Sequence, residues 1–125
     1  MRKVIWIGVA GMAGAIVRVG IGQLVHSESG FPIATLLVNI VGTFLLCFIV
    51  TGACRKLYAN KQLQDAVTTG FLGSFTTFSA LSMESVLLME NGQFMLAALY
   101  MLSSVIGGLA AGAFGFYLGR KQVQR

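Results

Sequence analysis

Residues 68–82 (TTGFLGSFTTFSALS) concentrate groups able to hold a small ion within an otherwise apolar stretch. Ser74, Thr76, Thr77 and Ser79 bring hydroxyls that bond readily to backbone, and Gly70 and Gly73 weaken helix propensity. Phe71, Phe75 and Phe78 add bulk between them. Backbone released from helical bonding offers carbonyl oxygens, which suit a hard cation such as Na⁺. Hydroxyls, an amide and a guanidinium suit an anion instead. Asn39, in TLLVNIVGTF, supplies the amide, with two donors and one acceptor, and Thr35 and Thr43 flank it at i−4 and i+4. Arg18 supplies the fixed cation, Glu84 follows the central stretch, and Tyr100 and Ser104 share a helix face with Ser103 adjacent. This is chemistry of ion binding. No nucleophile–base pair and no cluster of metal-ligating side chains is visible, so an enzyme is not expected.

Each polar residue also has a plainer reading. Arg18 can snorkel to the membrane interface. Asn39 can bond to a neighbouring helix, and the serines can bond back within their own helix. Glu84 reads as paired or in a wet vestibule, with Arg18 as a candidate partner, and Glu90 as an interfacial turn residue.

The elements that must position these groups follow from composition. The 125 residues are 56% hydrophobic and 10% charged, with mean hydropathy +0.81. Soluble domains carry about 25% charged residues, and a protein this small must show its polar residues to water. The remaining class is an all-α integral membrane protein. Four apolar segments, 4–25, 32–54, 65–89 and 94–118, each approach the ~20 residues a bilayer requires. They form one four-helix membrane domain over residues 1–125, with a polar turn at 26–30, a longer polar connection at 55–64, a turn at 90–93 and a basic tail at 119–125. Met1-Arg2-Lys3 and the following apolar run read as the first span, not a signal peptide, because the run is too long and carries Arg18. Pro32 suits the first turn of the second helix. The third segment is expected to break at residues 73–76. Irregular backbone at membrane depth is tolerated only where protein or a polar cavity covers it, and such breaks mark ion sites in many transport proteins.

Small residues at helical spacing, Gly8, Gly11 and Ala15 in the first segment and Gly107, Ala111, Gly115 and Gly119 in the fourth, predict close helix approach. Cys47 and Cys54 lie seven apart on one predicted helix, roughly 10 Å, too far for a disulfide, and read as small packing residues. Four spans put both termini and the central connection on one side. That side holds Arg2, Lys3, Arg55, Lys56, Lys61, Arg120, Lys121 and Arg125, and the other side's turns hold no Lys or Arg. The bias predicts a multi-pass protein of a bacterial-type cell membrane with both termini cytoplasmic. The net charge of +5 is then a topology signal, helped by anionic lipid, and nucleic-acid binding is not expected.

Residues 11–18 (GMAGAIVR), 31–42 (FPIATLLVNIVG) and above all 69–84 (TGFLGSFTTFSALSME) resemble the small fluoride channels called Fluc or CrcB proteins, in the same order and over essentially the whole chain. The resemblance implies a four-helix subunit that works as an antiparallel dimer, with two fluoride pores along the interface. It implies a central, non-permeating Na⁺ held by backbone carbonyls of the broken third helix, matching Gly73 and Thr76. The pore Asn matches Asn39, the first pore Phe matches Phe78, the fourth-helix pore positions match Tyr100 and Ser104, and the vestibule Arg matches Arg18. A phenyl ring can face F⁻ because its edge is electropositive. The implied role is passive export of fluoride from the cytoplasm.

The chain departs from the family pattern at Leu81, where a second pore Phe is common, and at Gly108, where a second fourth-helix Ser is common. The one-sided charge is a third departure, since a homodimer must insert both ways. These features together predict one half of a heterodimer whose inverted homologue supplies the missing groups. Two rival readings remain at this stage. A small membrane scaffold would use the same polar groups as interhelical glue. A small multidrug-type exchanger would need a carboxylate in its first span, and this span has none.

Overall fold

The computed structural model describes every residue except His26, Ser27 and Ser29, so most of the expected 26–30 turn lies outside the described residues. The elements run α1 (Arg2–Leu24), α2 (Ile33–Val50), α3 (Arg55–Ala59), α4 (Lys61–Asp65), a π-wound segment (Ala66–Leu72), α5 (Gly73–Phe75), α6 (Phe78–Glu90) and α7 (Phe94–Val123). Four helical stretches are long and apolar enough to cross a membrane: α1, α2, the composite from Lys61 to Glu90, and α7.

The boundaries differ from the expected ones for local reasons. Pro32 stands just outside α2 as its N-cap. α2 stops at Val50, and the chain turns at Gly52 with φ +87, a conformation that costs glycine little. The expected polar connection is instead two short helices, α3 and α4, separated at Asn60, whose side chain accepts from the Leu63 amide. α7 continues five residues past the expected end to Val123 and carries Arg120 and Lys121 in its last turn.

Helices pair through glycine. α1 lies along the π-wound segment and α5, and α2 lies along α7. A Cβ at Gly14 would strike the Phe71 carbonyl, and one at Gly70 would strike the Ile7 carbonyl. On the other pair, Gly107 meets Ile40, Gly112 meets Cys47 and Thr43, Gly115 meets the Phe44 carbonyl and Gly119 meets Thr51. The expected ladders are thus partly re-assigned. Gly8 has nothing within 4 Å, so Gly11 and Gly14 form the first seam, and Gly112 joins the fourth-helix seam beside the half-buried Ala111. Cys47 and Cys54 are free.

The buried core is small and divided. Val38, Ile49, Leu72 and Phe75 form one cluster. Leu88, Ala97 and Tyr100 form the other, nearer the end of the bundle opposite the termini. Most large apolar side chains point outward, as a lipid-facing or partner-facing surface requires.

Candidate functional site

The third segment leaves helical geometry at Thr76 (φ −81, ψ 154) and Thr77 (φ −152, ψ 123), midway between Lys61 and Glu90. The break therefore falls at the end of the expected 73–76 window. Gly73 itself remains helical, with φ −62 and ψ −32. The irregularity begins earlier than expected, in the π-wound turn through Ala66–Leu72. Its signal was present in Thr68-Thr69-Gly70, two β-branched residues and a glycine in a row, all weak helix formers.

Two threonines finish the two half-helices. The amide and hydroxyl of Thr76 both donate to the Leu72 carbonyl, each at 3.0 Å, closing the first half. The Thr77 hydroxyl accepts from the Ala80 amide at 3.2 Å and meets the Ser79 hydroxyl at 3.1 Å, capping α6. Asn39 then joins α2 to the break. Its Oδ1 accepts from the Thr77 amide at 2.8 Å, and its Nδ2 donates to the Thr77 carbonyl at 3.0 Å. The carboxamide satisfies the orphaned peptide group as a neighbouring strand would, and one Nδ2 hydrogen is left over. The Thr43 hydroxyl bonds back to the Asn39 carbonyl at 2.7 Å. A Cβ at Gly42 would strike the Thr76 methyl, so α2 must be bare there for the break to seat.

Arg18 reaches inward. Its Nε donates to the Ser74 carbonyl at 3.0 Å, and among the described residues it makes no ion pair with Glu84. Glu84 is held elsewhere: Thr35 donates to Oε1 at 2.8 Å and Tyr100 donates to Oε2 at 2.7 Å. Phe31 meets the Tyr100 ring edge-on at 5.6 Å. The Glu84–Tyr100–Thr35 set was missed from sequence, because its members lie 16 and 49 residues apart. Only the shared polarity of Thr35 and Glu84 in apolar segments hinted at it.

The expected site residues do not fall in one place. Asn39, Thr76 and Phe78 line one groove of about 240 Å³, together with Thr43, Thr77 and Leu81. Phe78 is 79% exposed there, its ring open to whatever covers the groove. Tyr100 is fully buried beside Glu84, so its hydroxyl is engaged within the subunit. Ser104 has a buried Oγ with no hydrogen-bond partner among the described residues, and so does not bond back to its own helix. Gly73 is exposed, and Arg18 sits behind the break. Of the two departures, Leu81 lines the groove and packs against the Leu88–Ala97–Tyr100 cluster, and Gly108 faces open space.

A cation fits this donor set. Among the described residues no turn or cap hydrogen bond ends on the Gly73 or Thr76 carbonyl, and these are hard, neutral oxygens. Among the described residues no group of three acidic, His or Cys side chains competes for a metal.

The model of a family described as "CrcB-like protein, Camphor Resistance (CrcB)" matches residues 5–116. A protein of Geobacillus kaustophilus named "Fluoride-specific ion channel FluC 2" is 47% identical over 88% of this chain and 87% of its own. "Fluoride-specific ion channel FluC 1" of Bacillus cereus is 40% identical over 95% of this chain and 90% of its own. The FluC 1 of Desulfitobacterium hafniense is 42% identical over 91% and 99%.

Proposed function

The chain belongs to the CrcB-like family, and from that premise we propose that it is a subunit of a fluoride-selective channel that lets F⁻ leave the cell passively. The observation that carries the reading is the mid-membrane groove where Asn39, Thr43, Thr76, Thr77 and Phe78 meet. Fluoride is small and tightly hydrated, so a selective path must replace water with donors close at hand. The free Nδ2 hydrogen of Asn39 and the Phe78 ring edge offer such donors, with the Thr77 hydroxyl beside them. Asn39 is pinned by its two bonds to Thr77, so its remaining donor has a fixed direction. Ser104 offers a further hydroxyl that no protein group occupies. Arg18 raises the local concentration of anions near the break. Tyr100 acts through Glu84, which it helps to immobilise.

An exposed Phe78 and an exposed Gly73 at mid-membrane support a second subunit across the groove. In the proposed arrangement that subunit is inverted, and the Gly73 and Thr76 carbonyls of both copies hold a structural, non-transported Na⁺. Such an ion would lend rigidity to the joined breaks. The termini are assigned to the cytoplasm on the one-sided Lys and Arg distribution. Leu81 and Gly108, together with that fixed charge bias, favour a non-identical partner, and relatives bear the numbered names FluC 1 and FluC 2.

Reconstitution in liposomes with a fluoride electrode tests the function. Fast F⁻ efflux with Cl⁻ excluded is expected when a suitable inverted partner is present. Absence of F⁻ flux with every partner and orientation sinks the channel reading in favour of a membrane scaffold.

A further inference from the structure

A second cavity lies far from the break, at the end of the bundle that carries both termini. It is a groove of about 690 Å³ between the turn after α2 and the end of α7. Its walls are Gly52, Ala53, Cys54 and Leu57 on one side and Gln122 and Val123 on the other, and Arg55, Lys56 and Arg125 stand at its rim. Among the described residues no acidic side chain lines it.

Three observations bear on what it holds. The first is depth. α7 has 30 residues, about 45 Å at ~1.5 Å per residue, against a hydrocarbon core of about 30 Å. Its last turns therefore stand in the headgroup layer, level with the α2 end, as expected for a helix that closes on Arg120 and Lys121. The second is charge. Of the cations at this end, Lys3 and Lys61 are both paired with Asp65, at 2.7 and 3.0 Å, and Arg120 lies over the Phe116 ring at 5.9 Å. Arg2, Arg55, Lys56, Lys121 and Arg125 make no ion pair among the described residues, and of these Arg55, Lys56 and Arg125 line the groove. The acid that neutralises this end is thus spent on the opposite pair of helices. The third is the mixed lining, with cations at the rim and Ala53, Leu57 and Val123 beneath them. Water-facing cations alone need no apolar floor, and a purely lipid-facing cleft needs no cations.

We propose that this groove binds the headgroup of an anionic phospholipid, with the phosphate between Arg55, Lys56 and Arg125 and the start of an acyl chain along Leu57 and Val123. Two unpaired cations near a membrane surface together change binding of an anionic lipid by roughly ten-fold or more. The site does not depend on the pore, and it would persist if the chain conducted nothing.

The test uses the full chain, purified in detergent and titrated with phosphatidylglycerol, phosphatidylcholine or inorganic phosphate while native mass spectrometry counts bound lipid. One phosphatidylglycerol should bind in preference to phosphatidylcholine, and millimolar inorganic phosphate should not displace it. R55Q/K56Q should weaken that binding by roughly ten-fold. R2Q/K121Q removes the same charge at the same end but from residues outside the groove, and should weaken it by less than about two-fold. A photoactivatable phosphatidylglycerol on the unchanged protein should crosslink within residues 52–57 and 122–125. Equal losses in the two variants, or crosslinks scattered around the bundle, would mean diffuse attraction only and overturn the site. Displacement by inorganic phosphate would reassign it to a soluble anion and overturn the lipid.

Discussion

Asn39 is where the site is most concentrated. Its carboxamide does two jobs, holding the Thr77 peptide group and presenting a spare donor to the groove. Interhelical side-chain bonds in membranes average only ~0.6 kcal/mol. Here, however, truncation also strands a backbone amide away from water, at about 1–3 kcal/mol. The second effect dominates, so Asn39→Ala is expected to lower stability by about 1–3 kcal/mol and fluoride flux at least ten-fold, read by thermal unfolding in detergent and by liposome efflux. A wild-type melting curve for that variant would show that the break holds without the amide. Tyr100→Phe separates position from packing in the same way. It keeps the ring against Phe31 and removes only the bond to the Glu84 carboxylate, so a loss of about 1.5–3 kcal/mol is expected with the fold intact. The roles of single residues were only half legible in the sequence. Asn39 stood out because an amide inside an apolar segment is costly, but which backbone group it serves is set by α2 lying beside the break. Glu84 and Arg18 invited pairing by charge. Geometry instead gave each a neutral partner, on a different helix in each case.

At the scale of the helix, glycine position decides which helices meet. Gly14 faces the Phe71 backbone, Gly70 faces the Ile7 backbone, and Gly8 meets nothing within 4 Å, although all three look alike in sequence. Gly70→Ala should force α1 away from the π-wound turn and cost about 1–3 kcal/mol, as overpacking does. Gly8→Ala should be neutral or stabilising by up to about 1 kcal/mol, from helix propensity alone. A melting temperature for each, taken side by side, checks both expectations, and equal effects would contradict the seam. Four apolar segments were legible because each exceeds what a small soluble core could bury. Their ends were less so. The α2 end depends on a left-handed glycine at 52, and the α3–α4 joint on a cap from Asn60. Both are turn chemistry hidden in a polar run. The π-winding was legible in kind, since Thr68, Thr69 and Gly70 disfavour an α-helix, but not in extent.

For the whole molecule, the groove with its exposed Phe78 ring is the surface a second subunit would cover on the proposed reading. Gly108 meets nothing within 4 Å, and Leu81 lines the groove while also packing against the Leu88–Ala97–Tyr100 cluster, so only part of that side chain is free to grow. On the heterodimer reading, Leu81→Phe with Gly108→Ser should raise fluoride flux of the chain expressed alone, provided both orientations are available. Unchanged flux, with both orientations verified by cysteine labelling from each side, would count against those two positions as the limiting groups. The same labelling tests the charge rule. Replacing Arg2, Lys3, Arg55, Lys56, Lys61, Arg120, Lys121 and Arg125 together by Gln removes the whole one-sided bias and should yield molecules in both orientations, and a population still inserted one way would place the topology signal elsewhere.

The interruption at Thr76 and Thr77 has one further consequence. Each half-helix brings an electrical end to the middle of the membrane. The half that closes at Phe75 arrives with its carbonyls, about half a negative charge, and α6 departs from Thr77 with its amides, about half a positive charge. An unbroken helix would keep both at the water, where they are screened. Breaking it once therefore sets two opposite poles a few residues apart in a medium of low dielectric constant. On the proposed reading such a joint can greet ions of either sign, the cation beside Gly73 and the anion beside Phe78, with Arg18 on the Ser74 carbonyl as the one ionised side chain bonded to it among the described residues. One kink would then give so short a chain a place for each.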